Sequence, residues 1–275
     1  MTGDRMLGEP PSESVKKCCS RLYESDLARL LLGDSFHPGG LRLTERLGGL
    51  LHLEQNSRVL DVACGPGSSA VFLTQRFGCE VVGVDFSAEN VARASERAAS
   101  AGVGSRVQFE QSDAESLSFL NESFDAVVCE CAFCTFPGKA AASREFARVL
   151  RKGGQVGISD VTRGPDLPHD LDTALGWAAC VADARPIEAY AQYLREAGLV
   201  VEHLEIHDDA LMDLVNEVRA KLLGVEIAVG LKKLDLPNID FRAAKELASS
   251  AVAAIQQGKL GYGVICATKR LFVDG

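Results

Sequence analysis

Short apolar runs alternate with amphipathic stretches along residues 58–161 of the chain. Five apolar runs lie at 58–63, 80–86, 107–111, 124–131 and 154–161. Stretches with the helical spacing of apolar residues begin at about Ser68, after Ser87 and near residue 140. Short apolar strands that alternate with amphipathic helices are typical of a parallel sheet covered on both faces. The pattern therefore predicts a doubly wound α/β fold.

Two further strands and a long connection follow this alternation. A helix is predicted at 187–196 and strands at 199–206 and 261–269, which gives a seven-stranded, mainly parallel sheet. The helical connection from 208 to about 255 is too long for a simple linker, so we expect a helical cap inserted before the last strand. Its apolar stripe is expected to pack on the sheet or on a second subunit, in a monomer or homodimer. The stripe comprises Leu211, Leu214, Val218 and Leu222.

Helical spacing also precedes the first strand, at 15–32 and 41–53, with the segment "GDSFHPGG" between the two helices. These boundaries divide the chain into three parts. An N-terminal tail and lid helices occupy 1–56, a core occupies 57–207 and 259–275, and the cap occupies 208–258.

Composition and charge limit the kinds of molecule that the protein is expected to bind. The 275 residues carry a net charge of −9, which provides no basic face for nucleic acid. No apolar run reaches the roughly 18 residues of a membrane span, and residues 1–17 do not resemble a secretory signal. We therefore expect a cytoplasmic protein with a small-molecule substrate, no membrane partner and nine reduced cysteines.

A glycine-rich turn follows the first strand as Asp61-x-Ala63-Cys64-Gly65-Pro66-Gly67. Ligands of open α/β sheets bind at this edge, and glycines let them approach the main chain. Asp85 ends the second strand about 20 residues later, where an acid accepts hydrogen bonds from ribose hydroxyls. Since the spacing is not G-x-G-x-x-G, a nucleoside without phosphates fits better than a dinucleotide. Alternatively, the turn is only a tight connection, and Asp85 caps the next helix, although Ser87 is the better cap.

Five segments together resemble the class I S-adenosylmethionine-dependent methyltransferases, which have a Rossmann-like fold. They are "VLDVACGPG", "VVGVDFS", "SDAESLSF", "FDAVVCE" and "VLRKGGQVGISD". The resemblance implies S-adenosylmethionine as cofactor, held at its amino-acid end by the turn residues Asp61, Ala63, Gly65 and Gly67. Many members of the family carry glycine where this chain has Ala63.

The resemblance also assigns the rest of the cofactor. It implies that Asp85 binds the ribose and that Phe86 lies on the adenine face. Asp113 and Ala114 would bind the adenine edge, although Asp113 is alternatively a turn residue. Glu130 would line the floor near the methionine part.

The methyl acceptor is suggested by the cysteines. Cys131 follows the fourth strand and Cys180 lies in "GWAACVADA", and this placement resembles the arsenite methyltransferases. That resemblance implies a thiol-coordinated metalloid as acceptor, with Cys18 and Cys19 as further ligands and a thiol co-substrate. Thiolates are soft ligands that suit trivalent arsenic. No resident metal is expected, because the C-x-C-x-x-C run at 129–134 lacks the second ligand pair of a structural zinc site.

Other interpretations remain open from the sequence. Cysteine is among the most buried residue types, and Cys131 and Cys180 are equally compatible with packing. The acceptor is alternatively a small organic molecule methylated on oxygen, carbon or nitrogen, for which His37 and Tyr23 are the candidate groups. His37 is otherwise a local cap or a solvent-facing residue, and His203 and His207 are expected to face solvent. A chain that only binds the nucleoside is a third, non-enzymatic hypothesis.

Overall fold

The structure is a computed structural model that describes residues 30, 33, 37–168, 171, 181, 183–231 and 240–270. The predicted helix at 15–32 falls outside these residues, apart from Leu30. Several predicted site residues also lie outside them, namely Cys18, Cys19, Tyr23 and Cys180.

Seven strands form one sheet, in the order β3-β2-β1-β4-β5-β7-β6. They span Arg58–Val62 (β1), Glu80–Asp85 (β2), Val107–Gln111 (β3), Phe124–Glu130 (β4), Leu150–Arg163 (β5), Leu199–Ile206 (β6) and Leu260–Lys269 (β7). Strands β1 to β5 are parallel, whereas β7 runs antiparallel to both β5 and β6. The predicted α/β fold with a mainly parallel sheet is confirmed.

Seven α-helices cover this sheet in the described part of the chain. They span Gly40–Leu50 (α1), Ser68–Phe77 (α2), Ala88–Ser100 (α3), Lys139–Val149 (α4), Ile187–Glu196 (α5), Asp208–Gly230 (α6) and Phe241–Gln256 (α7). A short 3₁₀ helix at Phe133–Thr135 follows β4. No helix of the described residues combines the length and apolar character needed to cross a membrane.

Helix α1 packs closely on the sheet and on α2 because two glycines make room for it. A Cβ atom at Gly157 of β5 would lie 2.7 Å from Cδ1 of Leu47 in α1. A Cβ atom at Gly48 would lie 2.5 Å from the ring of Phe77 in α2. As a result of this packing, α1 begins near the carboxyl ends of the central strands.

Within 208–231 and 240–258, the region predicted as a cap has two helices, α6 and α7, which contact each other and β7. Leu211 and Leu222 of the predicted stripe are buried, which agrees with packing inside the chain. A second face of α6 is exposed, with Leu223 and Ile227 at its surface.

Strand β5 is longer than the sequence indicates. Leu150 pairs with Phe124 of β4, and regular pairing resumes with Gln155 opposite Ala126 after an irregularity. The polar and glycine residues at 151–154 lie in that irregularity, so the hydrophobic pattern reveals only the regular part of the strand.

Candidate active site

The glycine turn after β1 has an unusual backbone conformation. Ala63, Gly65 and Gly67 have φ angles of 57°, 52° and 79°, all in the left-handed region that favours glycine. The N–H of Cys64 donates to the carbonyl of Val84 in β2 at 3.0 Å, which fixes the turn against the sheet. The Cβ of Ala63 therefore strains the backbone, whereas the two glycines have no Cβ and are not strained in this way.

Gly67 also lies too close to its neighbours to carry a side chain. A Cβ atom there would be 2.8 Å from Cβ of Ala94 in α3 and 2.8 Å from the ring of Phe109 in β3. Gly67 is the N-cap residue of α2, whose first backbone N–H groups lack intrahelical partners. The absence of a side chain at Gly67 therefore allows the turn to pack closely on α3 and β3.

Asp85 links the end of β2 to this turn. Its Oδ2 accepts from the N–H of Gly65 at 2.8 Å, and its Oδ1 accepts from the N–H of Ser87 at 2.9 Å and from Nδ2 of Asn90 at 3.3 Å. Ser87 caps α3 by accepting from the N–H of Asn90 at 3.1 Å. The cap is thus Ser87, and Asp85 lies beside the glycine turn, where a ribose would meet it.

Asp61 is a buried acid beneath the turn, with 2% of its surface exposed. Burial raises the pKa of its carboxyl well above the usual value, and the nearby Glu130 and Asp85 raise it further. Its Oδ2 has no hydrogen-bond partner among the described residues. An unpartnered acid of this kind fits a cationic ligand group such as an ammonium.

The predicted adenine-binding residues follow β2 and β3, which are adjacent strands. The N–H of Ser112 donates to the carbonyl of Asp85 at 3.0 Å, so the two strand ends lie side by side. Asp113 Oδ1 accepts from the N–H of Glu115 at 3.0 Å and so stabilises a turn. Phe86 and Ala114 are both half-buried at this edge.

Glu130 ends β4 within a polar cluster formed by residues from three segments. Its Oε2 accepts from Oγ of Ser69 at 2.6 Å and from Oγ1 of Thr44 at 3.1 Å. Nε2 of His37 lies 3.6 Å from the same oxygen, and only 7% of His37 is exposed. His37 is therefore neither solvent-facing nor a simple cap; it lies opposite a carboxylate.

The turn before α1 brings His37 to this position. Gly39 and Gly40 have φ angles of 77° and 52°, which reverse the chain immediately after Pro38. A Cβ atom at Gly39 would lie 3.5 Å from Ala210 of α6, so the start of the predicted cap borders this turn. Glu130 was predicted from the sequence, but its grouping with Thr44, Ser69 and His37 was not, because hydroxyl residues on helices carry no distinguishing pattern.

Cys131 immediately follows Glu130 and has a left-handed backbone, with φ of 52°. It is half-buried, whereas the other described cysteines are buried. These are Cys64, Cys79, Cys129, Cys134 and Cys266. Burial raises the pKa of the Cys129 thiol well above its usual value and that of Cys79 to about 11. These two groups stay protonated and pack as apolar residues.

The loop after β4 is held by two buried charged side chains. Asp160 of β5 accepts from the N–H of Cys134 at 2.9 Å. Lys139 donates to the carbonyls of Cys134 at 2.7 Å and Phe136 at 3.0 Å, and it pairs with Asp183. Cys131 thus borders a rigid loop, and in the described ranges no three His, Cys, Asp or Glu side chains are grouped to hold a metal ion.

Two histidines expected to face solvent are partly exposed and also bind an acid. His203 and His207 lie 2.6 Å and 2.9 Å from the Glu205 carboxylate, which also pairs with Arg46 of α1. The hydrogen bond from Arg46 is the main reason that the pKa of Glu205 is lowered to about 2. This cluster joins α1 to β6. Both histidines already have Glu205 as a partner, so we do not consider them candidates for catalysis.

Comparison with known proteins assigns the family. Residues 59–154 match the model of a methyltransferase domain. The chain is 30% identical over 261 residues to 27-O-demethylrifamycin SV methyltransferase of Amycolatopsis mediterranei, covering 89% of this chain and 93% of that protein. The chain belongs to the class I S-adenosylmethionine-dependent methyltransferases. Its cofactor is S-adenosylmethionine.

Two further comparisons agree with this assignment. The methyltransferase is 31% identical over 183 residues to phosphoethanolamine N-methyltransferase 3 of Arabidopsis thaliana, covering 66% of this chain but only 37% of that longer protein. The structure of phosphoethanolamine N-methyltransferase 2 from Haemonchus contortus has the same fold, with a TM-score of 0.79 at 19% identity. That match covers 94% of this chain and 60% of the other.

The site of this methyltransferase fits a cationic nucleoside. The helix that begins after Gly67 has first-turn backbone N–H groups without intrahelical partners, Asp85 can accept from hydroxyl groups, and the unpartnered Oδ2 of Asp61 can accept from an ammonium. S-adenosylmethionine supplies a methyl group bonded to a positively charged sulfur. Glu130 lies at the carboxyl end of the central strand β4, and His37 lies beside it.

Proposed function

We propose that this methyltransferase methylates a hydroxyl oxygen of a small organic molecule. In this proposal the amino-acid end of S-adenosylmethionine lies on the glycine turn, with Asp61 at its ammonium and Glu130 nearby. Asp85 binds the ribose hydroxyls. The adenine contacts Phe86, Asp113 and Ala114.

The observation that carries the proposal is the position of His37, buried 3.6 Å from the Glu130 carboxylate. A hydroxyl group is a weak nucleophile until a base removes its proton, and an imidazole is suited to this near neutral pH. The full-length relative named for O-methylation of a rifamycin also supports an oxygen acceptor.

His37 and Glu130 have separate roles in this mechanism. When bound, S-adenosylmethionine would supply the methyl group to the acceptor oxygen and leave as S-adenosylhomocysteine, and a ring nitrogen of His37 would take the hydroxyl proton. Glu130 lies opposite the ring and compensates its positive charge. Ser69 and Thr44 donate to that carboxylate and fix its direction.

Burial of these groups favours the transfer. His37, Thr44 and Asp61 are all shielded from solvent in the described structure. Electrostatic interactions are stronger where water is excluded, and an ordered pocket holds the acceptor in line with the methyl group. We propose that the start of α1 and the 208–258 cap form the wall of the acceptor pocket, since Gly39 borders Ala210.

The proposal is tested with His37→Asn and a matched control, His52→Asn. His52 is exposed on the far end of α1 and has a positive φ of 50°, which asparagine tolerates. Release of S-adenosylhomocysteine is measured with a panel of phenols, alcohols and amines. We expect His37→Asn to lower kcat about 100-fold, and His52→Asn to leave it unchanged.

Calorimetry with S-adenosylhomocysteine separates catalysis from cofactor binding. Both variants should bind this product within about twofold of the parent chain, because neither residue is assigned to the cofactor. An unchanged kcat in His37→Asn, or turnover confined to amines, contradicts the proposal.

A metalloid acceptor is the second candidate, favoured by one observation. Cys131 is the half-buried cysteine of the described chain and directly follows Glu130. In this alternative Cys131 binds arsenite as a soft thiolate ligand, and Cys180, Cys18 and Cys19 supply the remaining thiols with a thiol co-substrate.

Cys131→Ala and Cys129→Ala test this second candidate. Both remove a thiol near the end of β4, but Cys129 is fully buried. The chain is incubated with arsenite, glutathione and labelled S-adenosylmethionine, and methylarsenicals are quantified. A metalloid methyltransferase loses its product in Cys131→Ala and keeps it in Cys129→Ala. If the parent chain forms no methylarsenical, this candidate is wrong.

A further inference from the structure

One face of helix α3 contacts the glycine turn at two points and Asp85 at a third. Asn90, Ala94 and Arg97 are spaced by four and three residues, so they lie on the same face of the helix. Each contacts a different part of the cofactor region. We infer that Arg97 is a positioning residue that fixes the glycine turn for S-adenosylmethionine.

Arg97 makes the contact at the centre of the turn. Its Nε donates to the carbonyl oxygen of Pro66 at 3.1 Å, in a partly buried position. Pro66 lies between Gly65 and Gly67, which have no side chains to hold the turn in place. The hydrogen bond directs the Pro66 carbonyl toward α3, and this leaves the other side of the turn to the ligand.

Asn90 and Ala94 complete the set of contacts. Asn90 donates to the Asp85 carboxylate at 3.3 Å, and Asp85 in turn accepts from Gly65 at 2.8 Å. Ala94 occupies the space that a side chain at Gly67 would need. Helix α3 therefore restrains the ribose-binding acid, the second glycine and the carbonyl between the two glycines.

The consequence is a binding site ordered before the cofactor arrives. Glycine-rich backbone loses more conformational entropy on ordering than other backbone does. Where the protein has already ordered that backbone, the ligand does not bear this cost, and its affinity is higher. Arg97 thus acts on cofactor affinity through the turn and does not itself contact the acceptor.

The inference is tested with Arg97→Met, Arg97→Lys and the control Arg93→Met. Arg93 lies one helical turn away and pairs with Glu89 on the same helix. Calorimetry measures the affinity for S-adenosylhomocysteine, and thermal unfolding measures the stability of the ligand-free chain. We expect Arg97→Met to raise Kd about tenfold, as for the loss of a hydrogen bond from a charged group. Arg97→Lys should recover part of this affinity, and Arg93→Met should keep the parental Kd.

Kinetics distinguish positioning from general loss of structure. With an acceptor that the parent chain methylates, Arg97→Met should raise KM for S-adenosylmethionine and leave kcat at saturating cofactor unchanged. An unchanged Kd in folded Arg97→Met overturns the inference, and so does an equal rise of Kd in Arg93→Met. The calorimetric result does not depend on the acceptor, so it stands or fails separately from the proposed hydroxyl methylation.

Discussion

The proposed active site has a cofactor half, made largely of backbone groups, and an acceptor half, made of side chains. At the ends of β1 and β2 the cofactor half consists largely of backbone, with hydrogen bonds of 2.8–3.0 Å among Gly65, Asp85, Cys64 and Val84. At the end of β4 the proposed acceptor half consists of side chains, and Nε2 of His37 lies 3.4–3.6 Å from polar atoms of Thr44, Ser69 and Glu130. A backbone site depends on residue size and conformation, whereas a side-chain site depends on residue identity. Substitutions should therefore affect affinity in the first half and turnover in the second.

Gly67→Ala should produce the largest change, because the added Cβ has no room against α3 and β3 and must displace the glycine turn. The added Cβ would lie 2.8 Å from Cβ of Ala94, and the alanine would have to keep a φ of 79°. We expect the Kd for S-adenosylhomocysteine to rise about 100-fold and stability to fall by about 2–4 kcal/mol. Calorimetry and denaturant unfolding measure the two effects.

Gly102→Ala is the matched control for this change. Gly102 has a φ of 72°, but nothing lies within 4 Å of its added Cβ. The free energy of unfolding of Gly102→Ala should fall by about 1 kcal/mol from backbone strain alone, and the affinity of this variant for the cofactor should stay the same. Equal effects in the two variants would mean that close packing at Gly67 has no part in binding.

Asp61→Asn should separate binding from stability. Loss of the negative charge should weaken S-adenosylhomocysteine binding about tenfold. Burial raises the pKa of Asp61, so the folded chain holds this proton more tightly than the unfolded chain. As the pH rises above about 4, the parent therefore loses stability that an uncharged asparagine keeps.

The variant should accordingly melt at a higher temperature than the parent at pH 8, by about 2 °C or more. This advantage should shrink as the pH falls and vanish below about pH 3, where the aspartate is protonated in both states. Melting curves across this range check the sign. A parent that is more stable than Asp61→Asn at pH 8 would show that Asp61 has a stabilising partner as an anion.

Thr44→Val tests the acceptor half. Valine keeps the shape of threonine but removes the hydroxyl that donates to Glu130. We expect kcat to fall about fivefold, in line with the net value of one hydrogen bond, and cofactor affinity to stay the same. Thr74→Val is the control, since the Thr74 hydroxyl is buried without a partner among the described residues. A raised Kd with normal kcat in Thr44→Val would remove the distinction between the two halves.

Ala63→Gly should have the smallest effect. The φ of 57° strains alanine, and glycine relieves that strain at the cost of a more flexible unfolded chain. We expect a gain in stability of less than about 1 kcal/mol and an unchanged Kd. A large loss of affinity would show that the Ala63 methyl group contacts the cofactor.

The position of the proposed cofactor half at one edge of the sheet could be predicted from the sequence because its residues directly follow strands. Asp61, the glycines and Asp85 each follow a strand that the hydrophobic pattern reveals, and parallel strands bring their carboxyl ends to one edge. Glu130 and His37 were also candidates from the sequence, but their grouping with Thr44 could not be predicted, since Thr44 and Glu130 are 86 residues apart in the chain. Arg97 was missed for another reason: an arginine on an amphipathic helix is ordinarily a solvated residue, and only the structure shows its contact with Pro66.

The insertion of β7 between β5 and β6 sets an order of assembly during synthesis. In the described sheet β6 pairs with β7, which the ribosome makes about 60 residues later. Until 260–269 emerges, β6 has no neighbouring strand and the outer edge of β5 stays open. Such unpaired edges invite association with other chains. A nascent chain halted just before β7 should thus depend on chaperones more than one halted after it.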